Sequence, residues 1–431
     1  MDVTHAARVM LDQLDAPGGP DPVLGIARVD PFRFVGAPGA IARALYWEKD
    51  VVGLAGLGVA EELRISAPTS AAKIEATLTN RLASRPAAKR WIGGLRFSPN
   101  EPASEGWAPF GAAWFVLPAV YVSKKGSDVE LGVNLDREGR VPASARSILE
   151  AVACERTPEP DAPGAPPPTR ESSAYTNGVT RALAAIASGQ VEKVVLARRL
   201  DVSARSGVRV NEALRKLFNA EPAGTAYLLS PEPGACFFGV TPERLFVRQG
   251  RELTCDAIAG TTKRGASPAE DAALQRRLLE DPKERREHAL VVRGIMSALA
   301  PLAREVFASP DPEVLVLSRV QHLRTTVWAK LDQATSVLAC LHPTPAVAGW
   351  PVESSMSLIH ALEPFDRGFY SGPVGLVSAT EDRYSVALRC ARVVRDRVVA
   401  YSGAGIVSGS TPEEEWAEVQ SKARSVIEAL G

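Results

Sequence analysis

The sequence predicts an α+β protein built as a layered α/β sandwich, and not a doubly wound parallel sheet. Three observations carry that prediction. Strands and helices are mixed without strict βαβ alternation, strand-like apolar runs dominate the first third, and 431 residues suffice for two to three average domains or one large unit with a sizeable core. Lys+Arg and Asp+Glu both total 50, so the net charge is zero, which argues against nucleic acid or an anionic membrane as partner. A small molecule fits better.

From the N-terminus, MDVTHAARVMLDQLDA interleaves Asp2, His5, Arg8, Asp12 and Asp15 with its apolar residues and lacks the continuous apolar core of a signal peptide. GAAWFVLPAVYV, at 111–122, is the longest apolar stretch; it is too short to span a bilayer and contains Pro118. A soluble cytoplasmic protein without a membrane partner is expected. Cys154, Cys236, Cys255, Cys340 and Cys390 show no metal or disulfide spacing, so reduced structural thiols are expected. The runs at 44–60, 91–97 and 112–135 read as strands, the last with a hairpin turn at Lys125-Gly126-Ser127-Asp128.

RTPEPDAPGAPPPTR, at 156–170, has the proline density of an extended, solvated connector. It divides the chain into a β-rich part, 1–155, a connector, 156–171, and a larger region, 172–431. After it, Ser172 or Ser173 caps a helix that ends near Gly189, and VEKVVLARRL follows as a strand. TAYLLSPE and CFFGVTPERLFVRQG read as paired strands, and DAIAGTTKRG as a strand running into a glycine-bearing loop. Ser267-Pro268-Ala269-Glu270 has capping-box form, Asp281-Pro282-Lys283-Glu284 starts a second helix, and Thr411-Pro412-Glu413-Glu414 opens the last.

Within this frame, a few residues are chemically conspicuous. Lys193 opens an apolar strand; covered, its ammonium would be desolvated and its pKa lowered towards the range of a general base, whereas at a strand end it would snorkel to water. Glu243, just after Pro242 in another apolar run, is either an acid kept protonated near neutrality or a surface partner of Arg244. Glu284, Glu287 and His288 share one side of a helix, and Glu415, Glu418 and Lys422 repeat the arrangement. Facing each other, those carboxylates would repel unless a hard cation such as Mg2+ sat between them; the alternative is two solvated helix faces. Gly403 and Gly405, in a loop at 401–409, would let backbone N–H groups approach an anion. Arg389, inside a strand, needs an anion if buried, from the protein or from a substrate.

KVVLAR, TPERLF, AIAGTTKRG, KERREHALVV, VQHL, HPTPAVAGWP, DRGFYSGPVG, ALRCARV, YSGAGIV and PEEEWAEVQSKA follow one another between residues 193 and 423 in the order seen in chorismate-utilising enzymes. Ten collinear motifs resemble the isochorismate synthases of that family, and WIGGLRFSP with WFVLPAVYV resembles its N-terminal region. The resemblance implies the anthranilate synthase component I or aminodeoxychorismate synthase-like fold, with two facing β-sheets flanked by helices. It implies conversion of chorismate to isochorismate, water entering at C2 as the C4 hydroxyl leaves. Lys193 matches the family's general base and Glu243 its acid. Glu287 and Glu418 match the Mg2+ ligands, with Glu284 and Glu415 as outer acidic members. Gly403, Gly405 and Lys422 match positions around the ring carboxylate, Tyr370 and Arg389 those receiving the enolpyruvyl carboxylate, and Thr261 and His322 further pocket positions.

Relatives differ in the entering atom. Anthranilate synthases usually have glutamine where Lys193 stands, and aminodeoxychorismate synthases a lysine where Ala259 stands. Both differences favour water over ammonia, so no glutaminase subunit is expected, and the family's relatives imply a monomer. Salicylate synthases share the Lys/Glu pair and remain a rival, as does a non-catalytic chorismate-binding homologue. The product is expected to enter menaquinone or siderophore biosynthesis, with a lean towards menaquinone.

Overall fold

The structure, a computed structural model, describes residues 1–14, 23–37, 43–86, 89–154, 172–202, 208–334 and 336–431. The connector at 156–171 therefore lies outside the described residues. Among those described, the apolar runs pair into two antiparallel sheets of eleven and ten strands. The eleven-stranded sheet runs in the order Val23–Gly25, Asp128–Val133, Val120–Lys125, Val52–Leu57, Arg43–Glu48, Thr225–Glu232, Ala235–Thr241, Cys390–Val394, Arg397–Val407, Lys193–Val202, Gly349–Trp350. The other runs Ala303–Ala308, Val320–Leu331, Glu252–Lys263, Arg244–Gln249, Glu381–Val386, Pro373–Val377, Trp91–Leu95, Ala113–Leu117, Glu61–Ile65, with Glu313–Val316 added against Val320–Leu331. Lys125 and Asp128 close the anticipated hairpin, with Gly126 supplying a φ of +60°.

Both sheets draw strands from either side of the connector. Arg43–Glu48 pairs with Thr225–Glu232, Trp47 opposite Ala226, and Trp91–Leu95 pairs with Pro373–Val377. The connector divides the sequence without dividing the sheets. Between them lies an aromatic core of Tyr46, Trp107, Trp114, Tyr227, Phe237, Phe369 and Tyr401, in which Trp107 stacks on Phe369 at 5.8 Å. The outer faces are covered by helices: Val3–Leu14, Ala143–Ala153, Val210–Ala220 and Pro412–Leu430 over one sheet, Ala71–Ala83 and Pro282–Leu299 over the other. The layered sandwich is thus two facing sheets with helices outside.

The two acid-bearing helices begin where the sequence places them. Asp281 accepts hydrogen bonds from the N–H groups of Lys283 and Glu284, and Thr411 accepts one from that of Glu414, each ahead of a proline whose missing N–H costs nothing at that position. Ser267 likewise caps Pro268–Glu280, although Glu270 accepts from the Ala266 N–H and so reaches one residue beyond the usual box.

Two local expectations are corrected. Residues 401–407 are not a loop: they are the second half of the strand Arg397–Val407, paired with Lys193–Val202 from Val398 opposite Val202 to Val407 opposite Lys193. Arg389 is not inside a strand either. It lies between Glu381–Val386 of one sheet and Cys390–Val394 of the other, where the chain crosses over and takes a left-handed turn, φ +49°.

Candidate active site

The site forms where the chain passes between the sheets. Residues 242–243 carry it from Ala235–Thr241 to Arg244–Gln249, and residues 387–389 carry it back. Both crossings open onto the end of the Lys193–Val202 strand. The resulting cleft encloses about 790 Å3 of empty space, part of it open to solvent. Lys193, Glu243, Thr261, Glu287, His322, Tyr370, Arg389, Gly403, Gly405, Glu418 and Lys422 all line it; Glu284 and Glu415 do not.

Lys193 does not snorkel. Its side chain is 1% exposed, and its Nζ lies 2.9 Å from Glu287 Oε1, so a carboxylate stands beside the buried nitrogen. Gly405 makes that contact sterically feasible. A Cβ there would stand 2.5 Å from Glu287 Oε1 and 2.9 Å from Lys193 Cε, and one on Gly403 would stand 2.8 Å from Tyr370 Oη. The two glycines stand in a strand and not in the expected loop, and their missing side chains leave room for these neighbours. Lys422 Nζ reaches the Gly403 carbonyl at 3.2 Å and Glu418 at 2.5 Å.

Glu243 is buried, and Arg244 does not pair with it; Arg244 instead meets Asp256 at 2.9 Å. Burial raises the Glu243 carboxyl to about 7 against the opposing pull of Lys193 and Lys422. Near neutrality it holds a proton it can give. Thr261 Oγ1 and His322 Nδ1 are 3.0 Å apart across paired strands, beside a bulge at Gly260 whose φ is +79°. Burial, reinforced by Lys422 and Arg389, lowers His322 to about 3, so its ring is neutral near pH 7.

Arg389 has no carboxylate within ion-pair distance among the described residues, although burial pushes its guanidinium below its ordinary value. The structural ion pair left open by the sequence is therefore not formed. A half-buried arginine lining the cleft in a left-handed conformation, with Glu221 and Glu418 acting on it only from beyond ion-pair distance, marks a place for an anion. Tyr370 stands nearby in the cleft wall, its ring stacked on Tyr401 at 5.3 Å. Ser371, also left-handed at φ +62° and buried, lines the cleft too. It was missed because a lone serine beside glycines reads as turn chemistry.

The four glutamates come together as two helix faces. Glu284 accepts from the Thr261 N–H at 2.7 Å, and Glu415 lies 3.7 Å from Lys283. Burial, with repulsion from Glu287, raises Glu284 to about 7; burial, with repulsion from Glu418, does the same for Glu415. Burial also pushes Glu418 up, but Lys422 overrides it and holds that carboxyl below its usual value. Ligand type and charge fit a hard dication, which would relieve this repulsion. As they stand, each carboxylate is engaged by a neighbouring donor, and no three such side chains among the described residues converge closely enough to hold an ion.

Comparison with known proteins places these features in a family. The chain is 33% identical over 408 residues to the salicylate biosynthesis isochorismate synthase of Pseudomonas aeruginosa, covering 90% of this chain and 84% of that one. Its fold matches the solved structure of MenF, the menaquinone-specific isochorismate synthase from Escherichia coli, over the whole of both chains, with a TM-score of 0.85 and 26% identity. Anthranilate synthase component I from Streptococcus pneumoniae shares the fold at a TM-score of 0.70 and 21% identity, covering 96% of this chain and 93% of that one. Among the described residues no helix is long and apolar enough to cross a membrane. The model of the chorismate binding enzymes matches residues 21–431, a span that takes in both sheets and every residue of the cleft, and the chain belongs to that family.

Proposed function

We propose that the protein is an isochorismate synthase, an isomerase that converts chorismate to isochorismate by adding water at C2 and releasing the C4 hydroxyl. The observation that carries this is the pairing, in one cleft, of a buried lysine with a buried glutamic acid whose carboxyl is raised to about 7. Acting as the neutral amine, Lys193 takes a proton from the entering water, and the ammonium it becomes stands 2.9 Å from the Glu287 carboxylate. Glu243 passes its proton to the departing hydroxyl, which leaves as water; the proton gained by Lys193 equals the one lost by Glu243, exchange with solvent restores both, and no redox partner is needed. Arg389 and Tyr370 receive the enolpyruvyl carboxylate, and Lys422, with Gly403 and Gly405 in the adjoining cleft wall, the ring carboxylate. Thr261 and His322 form the wall between. Glu287 and Glu418, with Glu284 and Glu415 behind them, would hold Mg2+, which when bound supplies an anchor for the ring carboxylate.

With water as the entering nucleophile, the enzyme works without a glutaminase subunit, as a cytoplasmic monomer. The Escherichia coli relative is menaquinone-specific and the Pseudomonas aeruginosa one serves salicylate biosynthesis, so the pathway is decided by which deletion strain the gene rescues. The reaction itself is tested by incubating purified protein with chorismate across a Mg2+ titration and separating the products. Isochorismate formed only with the metal is the expected result. Salicylate with pyruvate selects the salicylate synthase alternative, and unchanged chorismate defeats both.

A further inference from the structure

The strand that carries Lys193 is paired along its whole length with Arg397–Val407, but among the described residues its other edge has a strand partner at only two positions, Val194 opposite Gly349 and Lys193 opposite Trp350. Ala348 O accepts from the Val195 N–H at 2.9 Å, and there the neighbouring chain turns away. The next two backbone groups on that edge are taken up by side chains. Arg367 Nη2 donates to Val195 O at 2.8 Å, and the Ala197 N–H donates to Glu363 Oε1 at 2.7 Å. Glu363 and Arg367 are joined to each other at 2.8 Å and 2.5 Å, and both side chains are buried, at 4% and 3% exposure.

The arginine has further attachments. Its Nη1 donates to Val347 O at 2.9 Å, and its guanidinium lies 4.4 Å from the centre of the Phe97 ring. Its own carbonyl accepts from the Tyr370 N–H at 3.1 Å. One planar fork therefore ties the strand of Lys193 to the segment carrying Val347, and the main chain of the same residue holds the turn that presents Tyr370. A buried ion pair is a poor source of stability, because desolvation offsets most of its attraction, so its fixed geometry calls for another account.

We propose that Glu363 and Arg367 are positioning residues, a side-chain substitute for a missing strand that sets Lys193 and Tyr370 in one frame; the role rests on the isochorismate synthase reading. Neither residue touches the reacting atoms. Lysine at 367 keeps the charge but, as a single ammonium, cannot reproduce the planar fork. Arg367→Lys is therefore expected to retain KM for chorismate within about threefold while kcat falls about 10- to 100-fold, the scale of an ångström-sized misplacement. The double variant E363M/R367M replaces the pair by apolar side chains of similar length but leaves the Val195 and Val347 carbonyls and the Ala197 N–H without their partners, so it is expected to melt below the wild type with at least the same loss of kcat.

A second readout is independent of turnover: the rate at which Lys193 is modified by an amine reagent, measured by peptide mass spectrometry, is expected to rise about tenfold in both variants as the strand edge loosens. Wild-type kcat and wild-type Lys193 labelling in a folded double variant would overturn the proposal, as would failure of both variants to fold, which would make the pair purely structural. If the wild type itself leaves chorismate unchanged, the functional reading fails, and Lys193 labelling still decides whether the pair holds the strand.

Discussion

At the scale of single residues, Lys193 and Glu243 divide the chemistry because their surroundings differ. Lys193 stands beside the Glu287 carboxylate, while Glu243 has only the more distant pull of Lys193 and Lys422 against its burial. Lys193→Ala removes a proton acceptor and no group assigned to a substrate carboxylate, so turnover is expected to drop by about 10²- to 10⁴-fold with chorismate binding, measured by calorimetry, nearly unchanged. The acid gives a pH signature. Glu243 must hold its proton to donate it, so kcat/KM is expected to fall as pH rises through about 7. The same shift has a stability consequence of definite sign. Its folded-state carboxyl, at about 7, binds its proton more tightly than an unfolded one at 4.5, so this contribution is complete below about 4.5 and is lost as pH rises through about 7. Glu243→Gln, which cannot ionise, is expected to lose turnover yet melt higher than the wild type above pH 7, and an equal or lower Tm there would contradict the burial account.

Among elements, the strand pair carrying Lys193 and the two glycines is the most constrained. Gly405→Ala puts a methyl group into the space where Lys193 and Glu287 meet, and both contacts fall below the closest approach real Cβ atoms show. Activity is expected to fall at least about tenfold while circular dichroism stays native, since only side chains need to shift. The sequence made part of this legible. The apolar run after Lys193 marked the strand, and Pro282 and Pro412, behind Asp281 and Thr411, marked both acidic helices. It misread Gly403 and Gly405 as a loop because a GxG pattern looks the same whether glycine serves a turn or makes room for a neighbour. Arg389 was misread for a related reason: the run SVALRCARV has apolar residues on both sides of each arginine, and nothing local shows that the chain changes sheets within it. Glu363 was invisible because its hydrogen-bond partner, Ala197, lies 166 residues away.

At the scale of the whole molecule, two sheets are shared by the segments on either side of a proline-rich connector. Layering was legible from the mixture of elements; that the segments interleave was not, because strand order is set by partners distant in sequence. Either segment alone would expose unpaired sheet edges, such as that of Arg43–Glu48 against Thr225–Glu232. Residues 1–155 and 172–431, co-expressed as separate chains, are therefore expected to purify as one active complex by gel filtration, and each alone to be insoluble. A folded, active 172–431 fragment would contradict the shared-sheet account.

The central claim is that Lys193 activates water, so the oxygen arriving at C2 comes from solvent. Initial-rate turnover of chorismate in 18O-labelled water, followed by mass spectrometry of the isochorismate, tests it directly. The account predicts one labelled oxygen, placed at C2. Isochorismate without label would mean that the original hydroxyl migrates within the substrate, and would contradict the mechanism.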